Sequence, residues 1–358
     1  MKFIESIFQK LRNHPKRIVF PEGSEPRVVV AAAEFVHRQL GIAVLLGKPQ
    51  EIEAAAKKAK VSLHKIHIID PEHAEDLPLF IKRIEGLSRY KGIAETDARK
   101  IVTNPNYFGA LMLQNGQVDG LVGGATSNSG SILRPLFQLI KPLPGIKSIS
   151  SCVVLQVPKT EYGENGVFTF ADCGVIPNPN VEQLAMIATE SARLFRQLTG
   201  GIPRVAMLSY STKGSAQTQD TEKIVAATAL ARQQLFDKKQ PGEIDGELQV
   251  DTALLREIAE MKAPGSPVAG QANVLVFPDL NSGNIAVKLV HRLAGGEAYG
   301  QILLGLDKPA ADLSRGASIH EILGVAAIVG LQAIEYRRLY PEQGAGRYDL
   351  APADVQAG

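Results

Sequence analysis

Short, uninterrupted apolar runs alternate with amphipathic segments along most of the 358 residues, and this alternation is the strongest constraint on the fold. Residues 17–20, 42–46, 66–69 and 120–122 form such runs, and several stop at Pro or Gly (Pro21, Gly47, Gly123). They are strand-sized and lack the period-2 polarity of a half-exposed strand, so they predict strands covered on both faces. Between them the period changes to that of a helix. From Glu25, the residues Val28, Val29, Ala32, Ala33, Val36 and Leu40 share one face, and further helices are expected over 51–59 and 131–140. Buried strands alternating with helices predict an α/β fold built on mostly parallel, doubly wound sheets.

The rhythm breaks at Lys141-Pro142-Leu143-Pro144-Gly145. Beyond it, 151–157 and 167–170 read as strands joined by a polar, Gly-bearing loop, a hairpin rather than a crossover. This change of style predicts a domain boundary near residue 148, and the length itself suggests about two domains. Alternation then resumes. Asn180 caps a helix with Gln183 as its capping-box partner. Strands are expected at 205–209, 274–277 and 302–304, and a last helix at 319–338. Residues 238–246 read as a charged surface loop and 263–270 as a second loop. The polar, Gly/Ala/Pro-rich stretch 341–358 reads as a flexible tail.

Composition excludes several classes. A net charge of +2 lacks the basic excess of a nucleic-acid binder. No uninterrupted apolar run approaches the ~20 residues that span a bilayer, and charges interrupt the N-terminal apolar residues. Two cysteines, Cys152 and Cys173, are too few for a disulfide framework and read as buried, inert thiols of a reducing, cytoplasmic setting. The seven histidines show no metal-ligand spacing, so neither an essential metal nor a permanently bound cofactor is expected.

Four strand–loop–helix junctions share glycines, hydroxyls or amides, and a helix N-terminus. They are Gly123-Gly124-Ala125-Thr126-Ser127-Asn128-Ser129, Ser211-Thr212-Lys213-Gly214-Ser215-Ala216, Pro278-Asp279-Leu280-Asn281-Ser282-Gly283-Asn284 and Asp312-Leu313-Ser314-Arg315-Gly316-Ala317-Ser318. Any one can be read as turn and cap chemistry. Together, with Lys213 and Arg315 in two of them, they point to anion recognition at the carboxyl ends of strands. No Walker or dinucleotide fingerprint accompanies them. The last junction runs on to Glu321. Arg315 can hold a phosphate or a developing oxyanion, and Glu321 can serve as a general base. Ser318-x-x-Glu321 is equally a capping box, and both roles are compatible, because a cap holds its carboxylate rigidly.

Phe277-Pro278-Asp279-Leu280-Asn281-Ser282-Gly283-Asn284, Lys308-Pro309-x-x-Asp312-Leu313-Ser314-Arg315-Gly316, Ser211-Thr212-Lys213-Gly214-Ser215-Ala216, Phe170-Ala171-Asp172-Cys173, Asn104-Pro105-x-Tyr107-Phe108 and Leu133-Arg134-Pro135 resemble the phosphate acetyltransferase (phosphotransacetylase) family. The resemblance runs in the family's order from about residue 16 to 334. It implies two α/β domains, one of them discontinuous (1–148 plus 305–340, and 149–304), with an interdomain cleft and a fold related to isocitrate and isopropylmalate dehydrogenases. It implies reversible acetyl transfer between coenzyme A and phosphate, with CoA, acetyl-CoA, acetyl phosphate and phosphate as the small-molecule partners and a homodimer as the usual form. Carried over residue by residue, it makes Ser314 a contact of the CoA thiol, Arg315 the group that stabilises the carbonyl oxygen, and Arg134 a holder of phosphate. Ser211, Thr212, Lys213, Gly214, Ser215 and Asn281 fall on substrate-binding loops.

Some positions depart from the family pattern. Glu321 stands where the family has an aspartate base. Ser88 stands at a family arginine, with Arg89 beside it as a substitute, and Ser127-Asn128-Ser129 replaces His-Thr-Thr. Taking a proton from a thiol of pKa ~8.5 with a carboxylate of pKa ~4.3 is uphill by about 5.7 kcal/mol, so the surroundings must raise one and lower the other. One extra methylene moves the base by roughly 1 Å, a displacement that can lower a rate about a hundredfold. The readings weighed against acetyl transfer are propionyl or butyryl transfer, a non-catalytic CoA or acyl-phosphate binder, and a nicotinamide-dependent dehydrogenase on the related fold.

Overall fold

The computed structural model describes residues 3–339, so the expected tail at 341–358 lies outside the described residues. The described chain carries β1 (Lys16–Phe20), β2 (Gly41–Leu46), β3 (Ile66–Ile69), β4 (Gly120–Gly123), β5 (Ser150–Gln156), β6 (Val167–Ala171), β7 (Arg204–Leu208), β8 (Glu243–Leu248), β9 (Val274–Val276), β10 (Glu297–Leu304) and β11 (Ala310–Asp312). It divides into two compact units. Of the described residues, the terminal unit takes Phe8–Lys141 and 307–339; the central unit takes Pro142–Leu306 and 3–7.

The terminal unit orders its strands β3-β2-β1-β4-β11, every pair parallel. β4 is buried along its whole length and β1 at its last three residues, as continuous apolar runs require. Helices Pro26–His37, Pro49–Ala59 and Pro105–Gln114 each place a proline in the first turn, where a missing N–H removes nothing the helix needs. The long helix Ile319–Leu339 packs on β4 and on Pro26–His37. Its window Ile319–Tyr336 is apolar and long enough to cross a membrane, but 78% of that window is buried inside the protein, and it acts as a core helix. Gly120 permits this approach: a Cβ there would lie 2.3 Å from the Val329 side chain.

The central unit orders its strands β10-β5-β6-β9-β7-β8. β5 is antiparallel to both β10 and β6, so the predicted hairpin is present, while β6, β9, β7 and β8 pair in parallel. The Asn180–Gln183 capping box opens helix Val181–Thr199 as expected.

Two expectations fail. The run 66–69 does form a strand, but β3 lies at the sheet edge with His67 exposed and the other residues half-buried, not covered on both faces. Residues 238–246 are not wholly a surface loop, because Glu243–Leu248 is the edge strand β8. Its alternation of acid and apolar residues disguised it, but Asp245 and Glu247 are 1% and 2% exposed. Their charges face partners inside the protein rather than water.

Candidate active site

In the terminal unit, parallel pairing brings the ends of β1, β4 and β11 side by side, with Gly123 in register with Asp312. The loop leaving β11 carries the exposed residues Ser314, Arg315 and Gly316. Leu313 N–H donates to Gly123 O at 2.6 Å and Ala317 N–H to Ser314 O at 2.9 Å, which turns the chain into helix Ile319–Leu339. Ser318 and Glu321 close that turn reciprocally. Ser318 N–H donates to Glu321 Oε2 at 2.8 Å, and Glu321 N–H donates to Ser318 Oγ at 3.2 Å. Glu321 is 5% exposed. The capping box read in the sequence is therefore real, and it holds the nominated base at a fixed place six residues after Arg315.

The glycine loop after β4 behaves differently from expectation. Its backbone N–H groups do converge on an anion, and the anion belongs to the chain. The Glu22 carboxylate accepts from the N–H groups of Gly124, Ala125, Thr126 and Ser127 at 2.5 to 2.9 Å, and from Thr126 Oγ1 at 2.9 Å. Burial pushes the Glu22 pKa up, but the bonds from Thr126 and Ser127 outweigh it and hold the group below its ordinary 4.5. Asp312 sits on the other side of the loop, 3% exposed, with Oδ1 buried and without a hydrogen-bond partner. Gly124, at φ +104°, makes room for it, since a Cβ would lie 2.3 Å from that oxygen. Burial, reinforced by the negative charge of Glu22 and opposed by the hydroxyl of Ser129, pushes Asp312 up to about 6. Ser127 and Ser129 are thus partly occupied by internal carboxylates.

The arginines separate cleanly. In this unit Arg12, Arg17, Arg27, Arg38, Arg83 and Arg99 all donate to carbonyls, carboxylates or an amide. Among the arginine side chains described there, Arg89, Arg134 and Arg315 are the ones with no internal acceptor, and all three are exposed. Arg134 and Arg89 both lie near the Tyr107 hydroxyl. Burial and the neighbouring Tyr90 push that phenol up to about 12, against the pull of the two guanidinium charges. Tyr90 and Tyr107 both donate to Gln138 Oε1, at 2.7 and 3.0 Å. The structure therefore gathers Arg89 and Arg134 about one tyrosine pair.

In the central unit the Ser211–Ser215 loop also folds around a carboxylate of its own. Glu247 Oε1 accepts from Ser211 Oγ at 2.9 Å and from Gly214 N–H at 2.7 Å. Thr212 Oγ1 accepts from Gln249 N–H at 2.9 Å. The Lys213 ammonium pairs with buried Asp245 at 2.6 Å, and Arg232, Ser266 and the Gly246 N–H also donate to that carboxylate. Burial raises the Asp245 pKa, but Lys213 and Ser266 draw it below the usual carboxylate range. The expectation of Lys213 as an unpaired phosphate ligand therefore meets a competing internal anion. Asp172 repeats the device, accepting from the N–H groups of Gly174, Val175 and Ile176. Asn281 is exposed in the first turn of helix Leu280–Leu293, which Asp279 caps.

Glu22 and Glu247 do not stand out among the sequence motifs, and Asp172 and Asp312 stand inside them without a role assigned. Each is an acid at or just after a strand end, and that position beside a Gly/Ser loop is the signal that could have found them. Cys152 and Cys173 are buried free thiols whose pKa burial drives well up, as expected of inert cysteines. Among the described residues no group of three or more His, Cys, Asp or Glu side chains is placed to hold a metal ion.

The family described as phosphate acetyl/butaryl transferase matches residues 2–330. A phosphate acetyltransferase of Thermoanaerobacterium thermosaccharolyticum is 47% identical over 333 residues, covering 93% of this chain and 100% of that protein. The EutD phosphotransacetylase structure from Staphylococcus aureus superimposes with a TM-score of 0.82 at 36% identity, over 92% of this chain and 98% of its own. A 4-hydroxythreonine-4-phosphate dehydrogenase structure from Salmonella typhimurium covers 89% of this chain and 99% of its own at a TM-score of 0.51 and 14% identity, a likeness of fold alone that fits the dehydrogenase-related architecture. With that match spanning nearly the whole chain, the protein belongs to the phosphate acetyl/butaryl transferase family.

Proposed function

We propose that this protein is a phosphate acetyltransferase, interconverting acetyl-CoA plus phosphate with acetyl phosphate plus CoA in one direct transfer. The observation that carries this reading is the set of guanidinium groups at Arg89, Arg134 and Arg315, left without internal acceptors where the unit's other described arginine side chains are all engaged. Such groups suit a doubly charged phosphate and a developing oxyanion. Glu321 takes the proton of the CoA thiol, which Ser314 contacts. The thiolate attacks the carbonyl carbon of acetyl phosphate; a C–S bond forms, the C–O bond to phosphate breaks, and phosphate leaves against Arg134 with Arg89 beside it. Arg315 balances the negative charge on the carbonyl oxygen and favours the thiolate. No acyl group is carried on the protein.

Ser211, Thr212, Lys213 and Gly214 are engaged by Glu247, Gln249 and Asp245, and we assign them to shaping their loop. The exposed Asn281 is assigned to contact substrate, Ser215, whose Oγ accepts from Thr212 N–H at 3.1 Å, to shaping its loop with them, and Ser127 and Ser129 to holding the loop that precedes Arg134. The buried, free cysteines support a cytoplasmic setting. The exposed stripe of Ile285, Leu289 and Leu293 on helix Leu280–Leu293 supports a homodimer, which light scattering at micromolar protein would test.

The decisive experiment follows thioester absorbance with purified protein, CoA and acyl phosphates. Turnover with acetyl phosphate above the longer acyl phosphates is expected. Absence of turnover with acetyl, propionyl and butyryl phosphate overturns the reading.

A further inference from the structure

Arg315 stands on a short, exposed, glycine-containing loop, yet the proposed chemistry needs its guanidinium held to a fraction of an ångström. Part of what fixes that loop comes from another element. Arg27, the second residue of helix Pro26–His37, sends Nη1 to Arg315 O and to Ala317 O, each at 2.8 Å, and Nη2 to Ala125 O at 3.0 Å. Its Nε is held at 2.7 Å by Glu25, which caps the same helix. The two carbonyls on Nη1 flank Gly316 and lie immediately before Ser318, the residue whose hydroxyl caps Glu321. The carbonyl on Nη2 belongs to the loop whose N–H groups are gathered by Glu22. One planar fork thus ties the backbone of the Arg315 loop to the glycine loop, a task that needs several donors in fixed directions and that a lysine ammonium cannot reproduce.

We propose that Arg27 is a positioning residue, fixing the backbone that presents Arg315 and Glu321 for acyl transfer. The inference rests on the role given to Arg315 above. Arg27 is not drawn into contact with substrate; it acts through the carbonyls of residues 315 and 317.

The test compares Arg27→Ala with Glu25→Gln in the full chain. Arg27→Ala is expected to lower kcat by about a hundredfold with KM for CoA and acetyl phosphate within about threefold, because a misplaced group weakens the transition state more than ground-state binding. Millimolar guanidinium ion is expected to restore part of that kcat. Glu25→Gln, which leaves the fork's contacts with the loop in place, is expected to keep kcat within about twofold. A kcat for Arg27→Ala within about twofold of the parent, an equal loss in Glu25→Gln, or failure of guanidinium to restore activity overturns the proposal. If Arg27→Ala does not fold, Arg27→Lys takes its place with the same kcat and KM expectations. If the parent protein shows no turnover, the reading of function falls, and backbone hydrogen exchange decides the brace. Faster exchange at Gly316–Ser318 in Arg27→Ala than in Glu25→Gln supports it, and equal exchange overturns it.

Discussion

Ser318 and Glu321 cap each other, the backbone N–H of each donating to the side chain of the other at 2.8 and 3.2 Å. The pair separates structure from chemistry experimentally. In Glu321→Gln the amide oxygen can still accept from Ser318 N–H, so the fold is expected to survive with a Tm within a few degrees. Loss of the base is expected to lower kcat by about 10²- to 10⁴-fold. Ser318→Ala should do the reverse, lowering stability by about 1 kcal/mol while retaining most turnover. Steady-state rates and thermal melts on the two variants check this. Full turnover in Glu321→Gln would remove Glu321 from the base role.

Arg315, Arg134 and Arg89 share exposure and lack of internal acceptors, so replacing them should leave stability nearly unchanged. Arg315→Lys keeps the charge but not the planar fork, and kcat is expected to fall about 10²-fold. Arg134→Gln and Arg89→Gln are expected to act more on KM for the phosphorylated substrates. Because both arginines lie near Tyr107, the phenol should titrate higher still once either charge is removed. Ultraviolet titration of the tyrosines reads that shift, and an unmoved or lowered value would place Tyr107 away from the arginines.

Much of this arrangement was legible in the sequence. Apolar runs marked β1, β2, β3 and β4, most plainly β4, where burial of the whole strand leaves no polar interruption, while the three-residue β11 was too short to stand out as a run. The capping residues Asn180 and Ser318 were visible because each cap and its partner lie three residues apart in the chain. β8 was hidden because Asp245 and Glu247 look like surface residues, and only tertiary pairing with Lys213, Arg232, Ser211 and Gly214 explains their burial. Glycine-rich loops correctly signalled converging N–H groups. That Glu22 would fill the loop after β4 was the harder reading, since it lies 102 residues from Gly124, whereas Asp172 fills its own loop through N–H groups only two to four residues on. The sequence singles out Arg315 by its place in a strand–loop–helix junction, but the backbone acceptors that engage Arg27 are set by tertiary structure alone.

Glu22 makes the glycine loop an acid-sensitive element. Glu22→Gln removes the charge and turns a donor toward N–H groups that need acceptors, so a loss of at least about 2 kcal/mol is expected at neutral pH. The sign follows from the lowered folded-state pKa. The carboxylate's contribution is full above 4.5 and is lost as pH falls through the lower folded value. Urea unfolding of both proteins from pH 7 to pH 3 should therefore show the gap closing on acidification. A gap constant across that range would mean that the charge of Glu22 contributes nothing.

Asp312 has the opposite sign. Its folded pKa of about 6 lies above the ordinary 3.8, so the folded state binds the proton more tightly than the unfolded chain. Stability attributable to this group is greatest below pH 4, declines between pH 4 and 6, and stays reduced above, by up to about 3 kcal/mol. Asp312→Asn is neutral throughout and should gain on the parent protein as pH rises through that window, with little difference at pH 4. The neighbouring negative charge of Glu22 is one cause of the shift, so Glu22→Gln should also lower the Asp312 pKa, moving the window toward acid. Unfolding free energies at pH 4, 5, 6 and 8 for the parent and both variants read these effects together. A difference between Asp312→Asn and the parent that does not grow from pH 4 to pH 8 would show that Asp312 is not the buried, reluctantly ionised group that its surroundings dictate.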